Sequence, residues 1–147
     1  MGLAIAGIVS VALLAGCAAT PGKYTYADAR TASHSATTVA LAGLPESRKV
    51  LSDAHITCPS DSGFFTSSFT WRTVTSIAVS AGAAQKTNTS ILATMAAHGW
   101  RASAPRNGII TLTPLSKSAT PAHVARMLTD VEPTAVVLTV FSSCYGG

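Results

Sequence analysis

The side chains able to do chemistry are few. The imidazoles are His34, His55, His98 and His123, the acids are Asp28, Glu46, Asp53, Asp61, Asp130 and Glu132, and the thiols are Cys17, Cys58 and Cys144. No two histidines stand at a spacing that would place them together on one helix or strand as metal ligands, so they read as solvated or capping residues and no metal is expected. Among the acids only Asp130 and Glu132 are close, and they lie in a turn-prone stretch where carboxylates are commonplace, not in the setting of a glycosidase pair. Serines abound, yet there is no Gly-x-Ser-x-Gly elbow, no Ser-x-x-Lys, no phosphate-cradling glycine loop and no dinucleotide fingerprint. The expectation is of a protein that is not an enzyme and carries no cofactor.

One thiol has a distinctive setting. Residues 3–16 carry no charge and a single hydroxyl, and they run straight into Leu14-Ala15-Gly16-Cys17. A bilayer-spanning helix needs roughly 20 apolar residues; this run is shorter and has the length of a signal-peptide core. On length and polarity alone it also fits an ordinary secretory signal with Cys17 incidental, or a buried N-terminal helix. Met1-Gly2 supplies no Lys or Arg ahead of the core, so the customary positive charge comes from the free amino terminus or from residues upstream.

The four residues Leu14-Ala15-Gly16-Cys17 resemble the lipobox of bacterial lipoproteins. That resemblance implies a diacylglyceryl group on the Cys17 thiol, cleavage before Cys17 and acylation of the new amino terminus. Residues 1–16 are then the signal peptide, 17–23 a lipidated tether and 24–147 a single domain. Each buried methylene contributes about 0.8 kcal/mol, so two or more chains hold where one is marginal. Residues 18–23 span on the order of 20 Å fully extended, which keeps the domain close to the bilayer. The expected location is the extracytoplasmic face of the cell membrane, with the bilayer itself as partner.

In that oxidising compartment Cys58 and Cys144 are left as an even pair, which reads as one disulfide. It closes a loop of about 87 residues, worth roughly 4.6 kcal/mol as an upper figure in the chain-entropy model. The charge is mild, ten Lys and Arg against six acids for a net +4, and no basic run exceeds Arg48-Lys49. Nucleic acid recognition calls for a concentrated stripe, so no nucleic acid is expected; weak attraction to anionic headgroups is the more natural consequence.

The elements that position these groups follow from pattern. Ala32, Ala36, Val39, Ala40 and Gly43 make a small-residue stripe in a helix between Tyr24 and Leu44, ended by Pro45. Val50–Cys58 reads as a strand entering a turn at 59–63, and Phe64–Val79 as a half-buried strand too long to lack a bend or bulge. Asn88-Thr89-Ser90 offers helix caps ahead of Ile91, Leu92, Met95 and Ala96, with Gly99 suited to the left-handed position after His98. Asn107-Gly108 marks a hairpin between Trp100–Ala104 and Ile109–Thr113. Residues 122–128 fit a short helix after Thr120-Pro121 or a hairpin arm; the strand is preferred, with a turn at Asp130–Pro133. Residues 134–143 read as a central strand that delivers Cys144 beside Cys58.

This order predicts an α+β domain, an antiparallel sheet of about four to six strands with two helices on one face. Phe64, Phe65, Phe69, Trp71 and Trp100 read as core. Trp71 and Arg72 are the exception, since a central strand could leave one of the two on an open sheet face as a surface contact. The arrangement resembles small lipoproteins of actinobacteria and their phages, in the lipobox Cys17, the strand end Thr57-Cys58, the helix end Gly99-Trp100 and the last strand end Ser143-Cys144. The resemblance implies the fold and assigns no activity. Two functions fit: a membrane-anchored binding module with an envelope protein as partner, or a phage lipoprotein that excludes superinfecting phage.

Overall fold

The computed structural model describes residues 24–58 and 68–146. The signal-like run 1–16, Cys17, the tether, the turn at 59–63 and Phe64 and Phe65 lie outside the described residues.

The chain enters through α1 (Tyr26–Ala40), which starts on a capping box. Asp28 N–H donates to Thr25 Oγ1 at 3.3 Å, and Asp28 Oδ2 accepts from the Thr25 N–H at 2.8 Å, satisfying two orphan donors of the first turn. Ala29, Ala32, Ser33, Ala36 and Ala40 are buried. Their small side chains bring the helix close to the sheet, as the stripe predicts.

The strands β1 (Arg48–Thr57) and β2 (Ser68–Ala78) are joined antiparallel, followed by α2 (Ala84–Ala97), β3 (Trp100–Ala102), β4 (Ile109–Pro114), β5 (Val124–Glu132), β6 (Ala135–Ser142) and the two-residue β7 (Tyr145–Gly146). The sheet runs β1-β2-β6-β5-β4-β3, antiparallel throughout, with β7 pairing the start of β2. Both helices pack on one face of it, the α+β arrangement read from the sequence. Among the described residues no helix is long and apolar enough to cross a membrane.

Several boundaries differ from expectation, each for a physical reason. Helix α2 starts at Ala84, so Asn88-Thr89-Ser90 is not its cap. The Thr89 and Ser90 hydroxyls donate to the carbonyls of Gln85 and Lys86, one turn back inside the helix. Burial of Ala84, Thr87 and Asn88 in line with Ile91 and Met95 extends the helix past residues whose own preference is for a cap. Residues 124–128 are strand, and the strand continues through Asp130 to Glu132. Pairing of Glu132 with Ala135 leaves only Pro133 and Thr134 as the turn. Of the long Phe64–Val79 stretch the described part is β2, and the register shift along its pairing with β1 lies between Val50 and Ser52 of the partner strand; residues 64–67 lie outside the described residues.

The β3–β4 hairpin turns where expected. Asn107 and Gly108 take φ of 53° and 81°, the left-handed pair an Asn-Gly turn supplies without strain. Strand β6 lies between β2 and β5, and Val136, Leu138 and Val140 on its covered face are fully buried. Cys58 and Cys144 are disulfide-bonded across a Cα separation of 6.3 Å, spanning β2 from the end of β1 to the segment after β6.

Candidate functional site

On the helix-covered face the polar residues gather around Asp53. Asp53 pairs with Thr73 and shares its face, the one on which α1 lies. Its Oδ1 accepts from Trp71 Nε1 at 2.6 Å and from Thr73 Oγ1 at 3.0 Å, with His34 Nε2 at 2.8 Å. A carboxylate can only accept, so Nε2 is the protonated ring nitrogen of His34. Arg30 Nε lies 3.6 Å from Oδ2. Behind them the buried Ser33 hydroxyl donates to Thr73 at 2.8 Å.

Burial pushes the Asp53 pKa up, but the hydrogen bonds from His34, Trp71 and Thr73 outweigh it and hold the carboxyl below its ordinary value. The result is an acceptor that is anionic at neutral pH and joins α1 to β1 and β2. Among the described residues no hydroxyl or thiol bonds the second nitrogen of His34. The hydroxyls of Thr37 and Thr38, one turn along the helix, donate to the carbonyls of Ser33 and His34. Geometrically the His34–Asp53 pair is a latch, with no activated nucleophile beside it.

A cleft of about 280 Å³ opens next to the latch, between the second half of α1 and β1–β2. His34, Thr38, Arg48, Val50, Asp53 and Thr75 line it. Thr75 is 1% exposed and its hydroxyl has no partner among the described residues. The cleft is small and rich in hydroxyls, suited to a small polar molecule or to ordered water. Among the described residues no three His, Cys, Asp or Glu side chains converge as metal ligands.

Among the described residues the opposite face carries no helix. Residues paired across a ladder share a face, so the register places Arg72, Phe141 and Arg126 side by side there, one from each of β2, β6 and β5. The Arg126 guanidinium lies over the Phe141 ring, 4.5 Å from its centroid. Arg72 Nε is buried without a partner, and its Nη2 reaches Ser52 Oγ only at 3.5 Å. Arg101 pairs with Thr113, one step beyond the Leu112–Met127 pair, so it continues the same line toward the β3 edge.

Comparison with protein-family models, curated proteins and solved structures finds no match. The site therefore rests on its own geometry.

The expected surface pair divides between the two faces. Trp71 is 5% exposed, covered by Tyr26, whose ring centroid is 4.9 Å away edge-on, and by Arg30, so it is not a surface contact. Arg72 is the member left on the open face. His55 packs edge-on against Phe69, His123 stacks on Tyr24, and His98 Nδ1 lies 2.8 Å from the Thr94 carbonyl. Of these, His98 caps as expected, whereas His55 and His123 pack on aromatic rings and His34 joins the Asp53 node. The sequence reading missed the Asp53 node and the arginine line. A clue to the first was an aspartate inside a strand, where that residue is unfavourable unless something holds it.

Proposed function

We propose that this chain is a lipid-anchored extracytoplasmic protein whose domain acts as a binding module beside the membrane, not as an enzyme. The observation that carries the reading is Leu14-Ala15-Gly16-Cys17 at the close of an uncharged apolar run. The Cys58–Cys144 disulfide supports it, because such bonds persist in oxidising compartments. The position of Tyr24 supports it as well. Its hydroxyl donates to the His123 carbonyl at 3.2 Å and its ring meets Tyr145, so the described chain begins at the disulfide-bearing end of the sheet.

Among the described residues, a sheet face without a helix and with cations that make no ion pair supports binding in preference to catalysis, as does the use of the His34–Asp53 pair to dock α1. The resemblance to small actinobacterial and phage lipoproteins belongs to the same proposal.

Mass spectrometry of the protein purified from its membrane fraction tests the anchor. The expected product begins at Cys17 and carries acyl mass; an unmodified peptide reading from Met1 through position 17 overturns the reading. In-cell crosslinking tests the binding half, and recovery of no partner protein, lipid or glycan would count against it.

A further inference from the structure

The strongest unexplained feature is the line of cations on the open face. Arg72 and Arg126 flank Phe141 on adjacent ladders, and Arg101 extends the line. Strands lie about 4.8 Å apart, so successive arginines stand about 10 Å from each other. Among the described residues the only ion pairs are those of Asp53 with Arg30 and His34, so none of the three arginines is paired with a described carboxylate. The acids of this face, Asp130 and Glu132, sit at the other end of β5, at least four residues along from Arg126. A chain of only +4 thus gathers on one line three guanidinium groups that make no ion pair among the described residues.

That place is at the tether's end of the sheet. The Ser143 N–H and the Tyr24 hydroxyl both donate to the His123 carbonyl, at 2.7 and 3.2 Å. Phe141 is two residues before Ser143, and Arg126 three after His123. On the covered side of the same end the rings of Tyr24, Tyr26, Phe69 and Tyr145 cluster, with Tyr26 48% exposed. Tyrosines concentrate at membrane–water interfaces because one end of the ring is apolar and the other wet.

We propose that Arg72, Arg126 and Arg101, with Phe141 between the first two, seat this end of the domain on an anionic phospholipid surface, each guanidinium taking a headgroup phosphate. Arginine suits the task because its planar fork donates two parallel hydrogen bonds to phosphate oxygens. Charge complementarity and the nearby tether select the bilayer over a second copy of the chain, which would set arginine against arginine. The inference rests on the lipid-anchor reading for its biological setting, and its test is independent of lipidation.

The test uses the chain from residue 17 onward with Cys17→Ser, which keeps every described residue and removes the acyl chains. Co-sedimentation with phosphatidylglycerol-containing vesicles is compared with pure phosphatidylcholine vesicles. Arg72→Gln, Arg101→Gln and Arg126→Gln should each weaken binding to the anionic vesicles about five-fold, and the triple variant about a hundred-fold. A control triple, Lys49→Gln, Lys86→Gln and Arg106→Gln, removes equal charge at positions away from the line, Lys49 pairing with Ser76 at the opposite end of the sheet, and should weaken binding less than three-fold. Far-UV circular dichroism and an intact Cys58–Cys144 bond confirm folding of each variant.

Equal losses in the two triples, or equal binding to both vesicle types, would overturn the proposal. So would tighter, row-dependent binding of a single-stranded oligonucleotide. Failure here with acylated Cys17 in the native protein refutes the docking row alone; an unacylated native Cys17 with row-dependent vesicle binding refutes the anchor alone.

Discussion

Arg72 and Thr73 are neighbours on β2 and meet opposite surroundings. Thr73 faces α1, is 2% exposed, and has its hydroxyl both accepting from Ser33 and donating to Asp53. Arg72 faces away from the helices, with a guanidinium nitrogen that finds no partner among the described residues. The same alternation continues on β6, where fully buried Leu138 is followed by half-buried Thr139. On the covered side, Ser33, Thr73 and Asp53 hold helix and strands together. On the open side the Arg72 guanidinium makes no ion pair among the described residues. A residue's part in this domain is therefore set by the face it points to more than by its type, since Asp53 is internal glue while Asp130 lies along a bare sheet.

The largest expected effect tests that division directly. Leu138→Ala should lower unfolding stability by about 3 kcal/mol through lost transfer energy and a cavity. Thr139→Ala, one residue on, should change it by about 0.5 kcal/mol or less. Denaturant titration of both variants would break the comparison if the two losses were alike.

Asp53→Asn should cost about 2 kcal/mol, since it removes a charged acceptor from His34, Trp71 and Thr73 together. The sign with pH follows from the direction of the shift. A carboxyl held below its ordinary value of 3.8 in the folded state contributes stability that is present above that value and lost as pH falls through the folded one. Wild-type stability should therefore decline below about pH 4, and the variant should show a shallower decline. The residue of the slope comes from Asp28, whose carboxyl is lowered by its hydrogen bonds to Thr25. An unchanged acid limb in Asp53→Asn would contradict the latch.

The smallest effect sharpens the picture of the covered side. Thr129 is fully buried and its hydroxyl has no hydrogen-bond partner among the described residues. Thr129→Val keeps the shape and removes the unsatisfied group, and should stabilise the domain by about 1 kcal/mol. A loss measured by thermal unfolding would show that the hydroxyl is satisfied.

Much of the fold was legible because local chemistry and tertiary need agree. The alanine stripe of α1, the Asn107-Gly108 turn and Gly99 after His98 each demand one backbone outcome. Where they conflict, packing prevails. Asn88-Thr89-Ser90 has cap chemistry and sits inside α2, and Asp130 to Glu132 has turn chemistry and lies in a strand. The candidate sites were least legible. Arg72, Arg101 and Arg126 are about 25 to 30 positions apart in a chain with no basic cluster, and only the strand register gathers them. His34, Asp53 and Trp71 likewise meet through the docking of α1 on β1 and β2, which no spacing rule encodes.

The disulfide has a mechanical consequence. Tension applied to the chain ahead of Tyr24 first loads the Tyr24–His123 stack and then α1, whose grip on the sheet is a row of small side chains and the Asp53 node. The Cys58–Cys144 bridge spans β2 at the same pole, so the strands beneath cannot be drawn apart there by breaking hydrogen bonds alone. Under such a load the helix peels before the sheet unzips, and a domain tugged by a moving surface can yield at α1 and close again on a sheet that never opened.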